Sequence, residues 1–171
     1  MKPYFVLLAA YNRWANERPY EAAPGISETD YRAERGAFFG SFHRTLNHLV
    51  VTDRIWMHRF TGEGPEHRRL DDVPYETLPE LHAARRTEDR RIIDYVDGLS
   101  ETEIAGPFTY TPITNPNPIP QARGPALAHL FNHQTHHRGQ AHCLLTITGG
   151  RDAAPPLDLI YFQHETRTGI Q

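Results

Sequence analysis

Apolar side chains recur at helical spacing in the first segment of the chain. Four of them lie three or four residues apart: Tyr4, Leu7, Tyr11 and Trp14. This spacing predicts a helix over about residues 3–22 that buries these four side chains. Pro19 lies within the predicted helix. We expect it to kink or interrupt the helix, because proline lacks a backbone donor and clashes with the preceding turn.

Two further long helices are predicted between recognisable start and stop residues. A short helical turn near Ser27 comes first, with Asp30 three residues later. The second long helix follows, with a stripe at steps of four and three residues: Phe42, Leu46, Leu49, Asp53, Trp56 and Phe60. It should end at Gly62. The third helix covers residues 78–99, opening at Pro79 and closing near Gly98.

The segment from Gly106 to Pro125 has a different character, because it contains too many prolines for a helix. They are Pro107, Pro112, Pro116, Pro118, Pro120 and Pro125. Residues 108–111, "FTYT", alternate enough to predict a short strand as half of a small hairpin, and the rest should be an extended crossover. A fourth long helix is expected over about 125–148, and a short fifth helix over 157–165.

These elements predict an all-α fold. Four long helices, each with an apolar stripe, and a long crossover before the last of them describe a four-helix bundle with a small extended or hairpin segment. A chain of 171 residues fits a single domain, so we assign residues 1–171 to one unit.

Composition and charge narrow the range of partners. The net charge is −3, and basic residues are mixed with acidic ones along the chain, which argues against nucleic acid and anionic membranes as partners. The N-terminal apolar run is too short for a membrane helix and lacks a cleavage-type site, so we expect neither export nor membrane insertion. The single cysteine, Cys143, cannot form an internal disulfide, and we expect it to be a small packing residue. A cytoplasmic protein is the resulting expectation.

The stretch "HLFNHQTHHRGQ" concentrates histidines on the fourth long helix. At about 100° per residue, His133 and His137 fall within about 40° of each other in the middle of the predicted apolar stripe. His129 and His136 fall on its flank, and His142 points to the opposite side. Two imidazoles four residues apart can reach a common metal ion. The alternative is that both are hydrogen-bonded core histidines.

A third ligand must come from another helix, and the second long helix carries three histidines. His48 lies beside its apolar arc, whereas His43 and His58 point away. His48 is therefore the best candidate. Asp53 interrupts the same arc and should be paired if it is buried. Pairing with an arginine such as Arg13 is favoured, and orientation of a metal ligand is the alternative.

Four stretches of the chain together carry a family resemblance: "YNRWANERPYEAA", "TLNHLVVTDRIWMHRFTG", "HLFNHQTHHRGQAHCLLTITGG" and "PPLDLIYF". In this order they resemble the DinB family of DinB/YfiT-like metalloenzymes, over nearly the whole chain. The resemblance implies a four-helix bundle, commonly a homodimer, that holds zinc or nickel through three histidines. Carried over residue by residue, these are His48, His133 and His137, the same three that the helical faces selected. Pro19 and the proline-rich crossover depart from the common family pattern.

The resemblance also suggests chemistry. Three imidazole ligands leave coordination positions open, as in catalytic metal sites. Relatives in the wider superfamily use such a site to activate low-molecular-weight thiols, so the first hypothesis is a metal-dependent thiol S-transferase with a small-molecule substrate. The alternatives are a hydrolase that uses metal-bound water, for which the sequence offers no identifiable general base, and a non-catalytic metal-binding dimer of the stress response.

Overall fold

The computed structural model describes residues 1–169, and within that range the protein is mostly helical. The α-helices are α1 (Lys2–Ala22), α2 (Glu28–Arg32), α3 (Phe42–Thr61), α4 (Leu78–Gly98), α5 (Glu101–Ala105), α6 (Arg123–Gly149) and α7 (Leu159–Thr166). The strands β1 (Pro107–Tyr110) and β2 (Ile119–Ala122) separate α5 from α6. The predicted helical class and the small hairpin are thus confirmed.

Local sequence explains where the helices begin and end. The Ser41 side chain accepts a hydrogen bond from the backbone N–H of Arg44 and caps α3, and Thr77 caps α4 in the same way through Glu80. Gly62 ends α3 in the left-handed conformation, at φ 74°, which glycine adopts without steric cost. Ser100 and Glu103 form a reciprocal capping box at the start of α5, a helix that the hydrophobic pattern did not predict.

The four long helices pack on one another in pairs. Helix α1 contacts α4 and α6, and α3 also contacts α4 and α6. The apolar stripe predicted for α3 is buried throughout. Side chains of all four helices meet in a core cluster below the hairpin, which includes Phe5, Met57, Ile92 and Leu130. A second cluster, at the other end of α3 and α6, includes Leu46, Leu81 and Leu145.

The hairpin of β1 and β2 lies within the predicted crossover. The strands pair antiparallel, with Pro107 opposite Ala122 and Tyr110 opposite Ile119. Phe108 points into the core cluster, while Tyr110 packs against Trp56 of α3, with the ring planes tilted and the ring centroids 4.9 Å apart. The hairpin therefore packs the crossover against the C-terminal half of α3.

Helix α1 differs from the prediction in two respects. It is not interrupted at Pro19, which is buried and costs the helix a single backbone donor near its C-terminal end. Its core-facing side carries Phe5, Ala9 and Ala15, whereas Tyr4 is 59% exposed. Tyr11 and Trp14 pack instead on Phe162 of α7. The apolar periodicity of α1 thus marked the face against α7.

None of the helices within residues 1–169 is both long enough and apolar enough to cross a membrane.

Candidate metal centre

Three histidines from two helices converge between α3 and α6. His48 of α3 and His133 and His137 of α6 each offer one ring nitrogen to a cluster in which these atoms all lie within 4.8 Å of one another. The ring centroids of His133 and His137 are 4.4 Å apart, and that of His48 is 4.5 Å from His137. The structure therefore brings together the three histidines that the sequence selected.

Hydrogen bonds fix which nitrogen two of these rings present. The Nδ1 atom of His48 donates to the backbone carbonyl of Leu70 at 2.7 Å, and that of His137 donates to Oε1 of Gln140 at 2.8 Å. Since each Nδ1 carries the proton, each Nε2 has a free lone pair. The His48 Nε2 is buried and has no hydrogen-bond partner among the described residues. A metal ion is the partner that suits these unprotonated ring nitrogens best.

Burial keeps the three imidazoles neutral. It lowers the pKa of His48 to about 4, despite the opposing hydrogen bond to Leu70. Burial also lowers the pKa of His133 to about 3, with further contributions from the charges of His137 and His48, and it lowers the pKa of His137. Neutral imidazole is the form that binds metals. The cluster is therefore ready to bind a cation at neutral pH without first losing protons.

Aromatic rings surround the cluster on the side of the segment before α3. The ring of Phe39 stacks on His48, with centroids 3.7 Å apart, and lies 5.4 Å from His137. His136 stacks on His137 at 4.5 Å. His48 and His137 are buried, whereas His133 is partly exposed. The cluster thus meets solvent on the side of His133.

The buried face of α6 is centred elsewhere than predicted. Gln134 lies near its middle, Arg138 lies on the side away from the histidines, and His133 and His137 lie on the other side. The buried face extends beyond the predicted stripe to Leu127, Phe131 and Leu145, which lie past Gln134 on the side away from the histidines. The prediction that His133 and His137 occupy the middle of the stripe was therefore wrong, although their common direction was right.

Asp53 pairs with Arg85 of α4, not with Arg13. The Arg85 Nη2 atom lies 2.7 Å from Asp53 and 3.0 Å from Asp89, and all three side chains are buried. Burial raises the pKa of Asp53 to about 7, and the neighbouring Arg85 only partly offsets this effect. Arg13 is exposed on the surface of α1, whereas Asp53 is buried, so Arg13 does not pair with it. Asp53 thus has the structural pairing that was expected, with a different arginine.

The pair extends into a buried polar network that joins all four long helices. Asn16 of α1 donates to Asp89 at 2.8 Å, and Arg138 donates to Asn12 and to Asn16 at 2.8 Å each. Gln134 donates to the backbone carbonyl of Leu49 at 3.0 Å and to a carboxylate oxygen of Asp53 at 2.5 Å. We call these residues the buried network: Asn12, Asn16, Asp53, Arg85, Asp89, Gln134 and Arg138.

Four further histidines of α3 and α6 and Cys143 lie outside the cluster. His43 is buried, but its Nε2 atom pairs with the carbonyl of Tyr75 at 2.8 Å. His58 is only partly buried. His129 and His136 flank the cluster, as their angles on α6 indicated. Cys143 is exposed, so the expectation that it packs in the interior was wrong. It points away from the buried face of α6.

Three residues that contact the histidine cluster were not predicted from the sequence. The carbonyl of Leu70 belongs to the loop between α3 and α4, and no sequence signal marks a backbone acceptor there. Phe39 lies in the irregular segment before α3, where no periodicity applies. Gln140 is different, because it follows His137 by three residues on the same helix. That spacing could have identified it as a hydrogen-bond partner.

The lowered pKa of His48 predicts acid sensitivity in metal-free protein. An unfolded histidine has a pKa near 6.5 and gains a proton at pH 5, whereas folded His48, with a pKa of about 4, stays mostly neutral. The unfolded state then binds more protons, so stability is complete above pH 6.5 and is lost as pH falls toward 4. Between pH 7 and 5, wild type should lose about 2 kcal/mol more unfolding free energy than His48→Asn. Urea titrations in a chelator measure this difference, and equal losses in the two proteins would contradict it.

The fold and the cluster together define a class: a mostly helical protein with three neutral imidazoles that could hold a divalent metal ion. A model of the DinB family matches residues 1–168. Protein DinB of Bacillus subtilis (strain 168) is 26% identical over 176 residues, which cover 97% of this chain and 98% of that protein. The chain belongs to the DinB family.

Proposed function

We propose that the protein binds a divalent metal ion, zinc or nickel, through His48, His133 and His137, and that it is a metal-dependent thiol S-transferase. The observation that carries the metal site is the buried His48 Nε2 atom, which has no protein partner among the described residues and faces two other neutral imidazoles. Membership of the DinB family supports the same assignment.

Three protein ligands suit a catalytic rather than a closed structural site, because a fourth position stays available. A divalent cation held there supplies a positive charge that lowers the pKa of a thiol bound beside it. The residues of the chain perform the other tasks. Leu70 and Gln140 hold two imidazoles in the ligating tautomer, Phe39 shields His48 from water, and the partly exposed side of His133 admits the substrate.

Several finer expectations accompany this proposal. The pairwise contacts of α1, α3, α4 and α6 support the four-helix bundle in one domain, with the hairpin inside the crossover before α6. A homodimer and a cytoplasmic location rest on the family resemblance and on composition. Sedimentation at several protein concentrations shows directly whether the protein is a homodimer.

Metal content and thiol binding test the proposal together. Protein purified without a histidine tag and dialysed against zinc or nickel should retain about one ion per chain, as expected for a single three-histidine site. Calorimetry should then show binding of glutathione to the loaded protein and none to the metal-free protein. Protein that retains no metal overturns the site itself. Loaded protein that binds no thiol overturns the S-transferase assignment, and turnover of ester substrates by such protein would favour the hydrolase.

A further inference from the structure

A positively charged side chain lies near the histidine cluster, in the last turn of α3. Arg59 of α3 places its guanidinium carbon 4.7 Å from the centre of the Trp56 ring and 5.1 Å from that of Tyr110. The Trp56 ring also lies 4.9 Å from His129. These four residues, Trp56, Arg59, Tyr110 and His129, form what we call the aromatic rim.

The aromatic rim adjoins the cluster directly. His129 precedes His133 by one helical turn on α6, and their ring centroids are 5.8 Å apart. Four residues of helix advance about 6 Å along the axis. The rim and the cluster are therefore neighbours along α3 and α6, and Phe39 lies on the other side of the cluster, beside His48 and His137.

The charge of Arg59 is not neutralised by the protein. Its Nη2 atom donates to the backbone carbonyl of Thr111 at 3.2 Å, and within the described chain no carboxylate lies at salt-bridge distance from it. Arg54, on the same helix and also partly buried, differs in this respect because it lies 3.6 Å from Glu88. Burial lowers the pKa of Arg59, which is the direction expected when no counter-charge compensates desolvation. A partly buried guanidinium of this kind gains most from an anion supplied by a ligand.

The separation suits a small peptide-like thiol. A chain of three residues spans about 10 Å when extended, which is comparable with the successive ring-centroid steps of 5.8 Å from His133 to His129 and 4.9 Å from His129 to Trp56. The adjoining rings of Trp56 and Tyr110 pack against one side of the guanidinium and leave its remaining N–H groups for a planar acceptor. A carboxylate matches this geometry, since its two oxygens can accept from two parallel N–H groups.

We propose that Arg59 binds a carboxylate of the thiol substrate, so that the protein selects anionic over neutral thiols. This inference rests on the proposed function, because it places the sulfur of the same ligand at the histidine cluster. Arg59 acts here as a specificity-determining residue. His129, Trp56 and Tyr110 form the wall against which the ligand's body packs.

The test compares two thiols on three variants of the zinc-loaded protein. Glutathione carries carboxylates, and 2-mercaptoethanol carries none. Arg59→Gln should weaken glutathione binding about tenfold, equivalent to about 1.4 kcal/mol, and leave the Kd for 2-mercaptoethanol unchanged. Arg59→Lys should retain part of the preference, because it keeps the charge and loses the planar fork. Arg90→Gln, on the exposed surface of α4, is the matched control and should behave as wild type with both thiols.

Zinc content and melting temperature of each variant separate binding from folding, and both should equal those of wild type. Wild-type affinity for glutathione in Arg59→Gln overturns the inference and leaves the proposed function intact. An equal loss for both thiols also overturns it, because the effect would then be unrelated to the anion. Loaded wild type that binds neither thiol overturns the proposed function and this inference together.

Discussion

Replacing His133 with alanine is expected to reduce zinc and nickel affinity by more than 100-fold. Removing a residue that hydrogen-bonds to a metal ligand typically lowers metal affinity 10–100-fold. Removing the ligand itself should therefore lower it more. His133 is partly exposed and lies outside the buried network, so its removal leaves the core packing in place. Competition with a chromophoric chelator measures the affinity, and circular dichroism checks the fold.

The same helix provides graded controls for this experiment. His129→Ala and His136→Ala remove histidines that flank the cluster without belonging to it, so both should bind metal within a few-fold of wild type. Gln140→Ala removes the partner of the His137 Nδ1 atom and should cost the intermediate 10–100-fold. If His136→Ala were as damaging as His133→Ala, the choice of ligands would be wrong.

The largest effect on stability is expected from Arg85→Leu. This change leaves Asp53 and Asp89 buried near each other without their shared cation. Removing one partner of a buried ion pair typically costs 3–5 kcal/mol, and we expect the loss in unfolding free energy to fall in that range. Urea denaturation of metal-free protein gives the value directly.

The neighbouring residue on α4 is a suitable control. Arg86 is exposed and lies 3.6 Å from Glu17 at the surface, where an ion pair contributes about 0–1 kcal/mol. Arg86→Leu should therefore change stability by no more than that. A loss below 1 kcal/mol in Arg85→Leu would show that the two carboxylates are protonated or hydrated without the arginine, contrary to the role assigned to the pair.

The histidine cluster was predictable because helical spacing determines direction. His133 and His137 are four residues apart, and His48 lies beside the apolar arc of α3, so each residue's angle could be read from the chain. Three elements escaped prediction for physical reasons. The capping box at Ser100 encodes a helix too short for any periodicity. The acceptor at Leu70 is a backbone atom, and Phe39 is positioned by an irregular segment.

Buried polar residues on α1 and α6 were not predicted by the hydrophobic pattern. Asn12 and Asn16 on α1, and Gln134 and Arg138 on α6, occupy interior positions that a hydrophobic pattern assigns to the surface. Each is buried because another helix supplies its hydrogen-bond partner. Such partners are distant in sequence, so a single chain without its fold does not reveal them. The same limitation explains why Arg13 was chosen for Asp53 in place of Arg85.

The buried network has a consequence for the three-histidine cluster. Gln134 and Arg138 each directly follow a histidine of the cluster along α6, and both are tied to other helices. Protein contacts alone therefore fix the rotation of α6 and its position along the helix axis, without a bound cation. The three-histidine cluster is preorganised, so under the proposed function a bound ion would not be needed to hold the fold together. One divalent metal could then replace another at the cluster without a change of architecture.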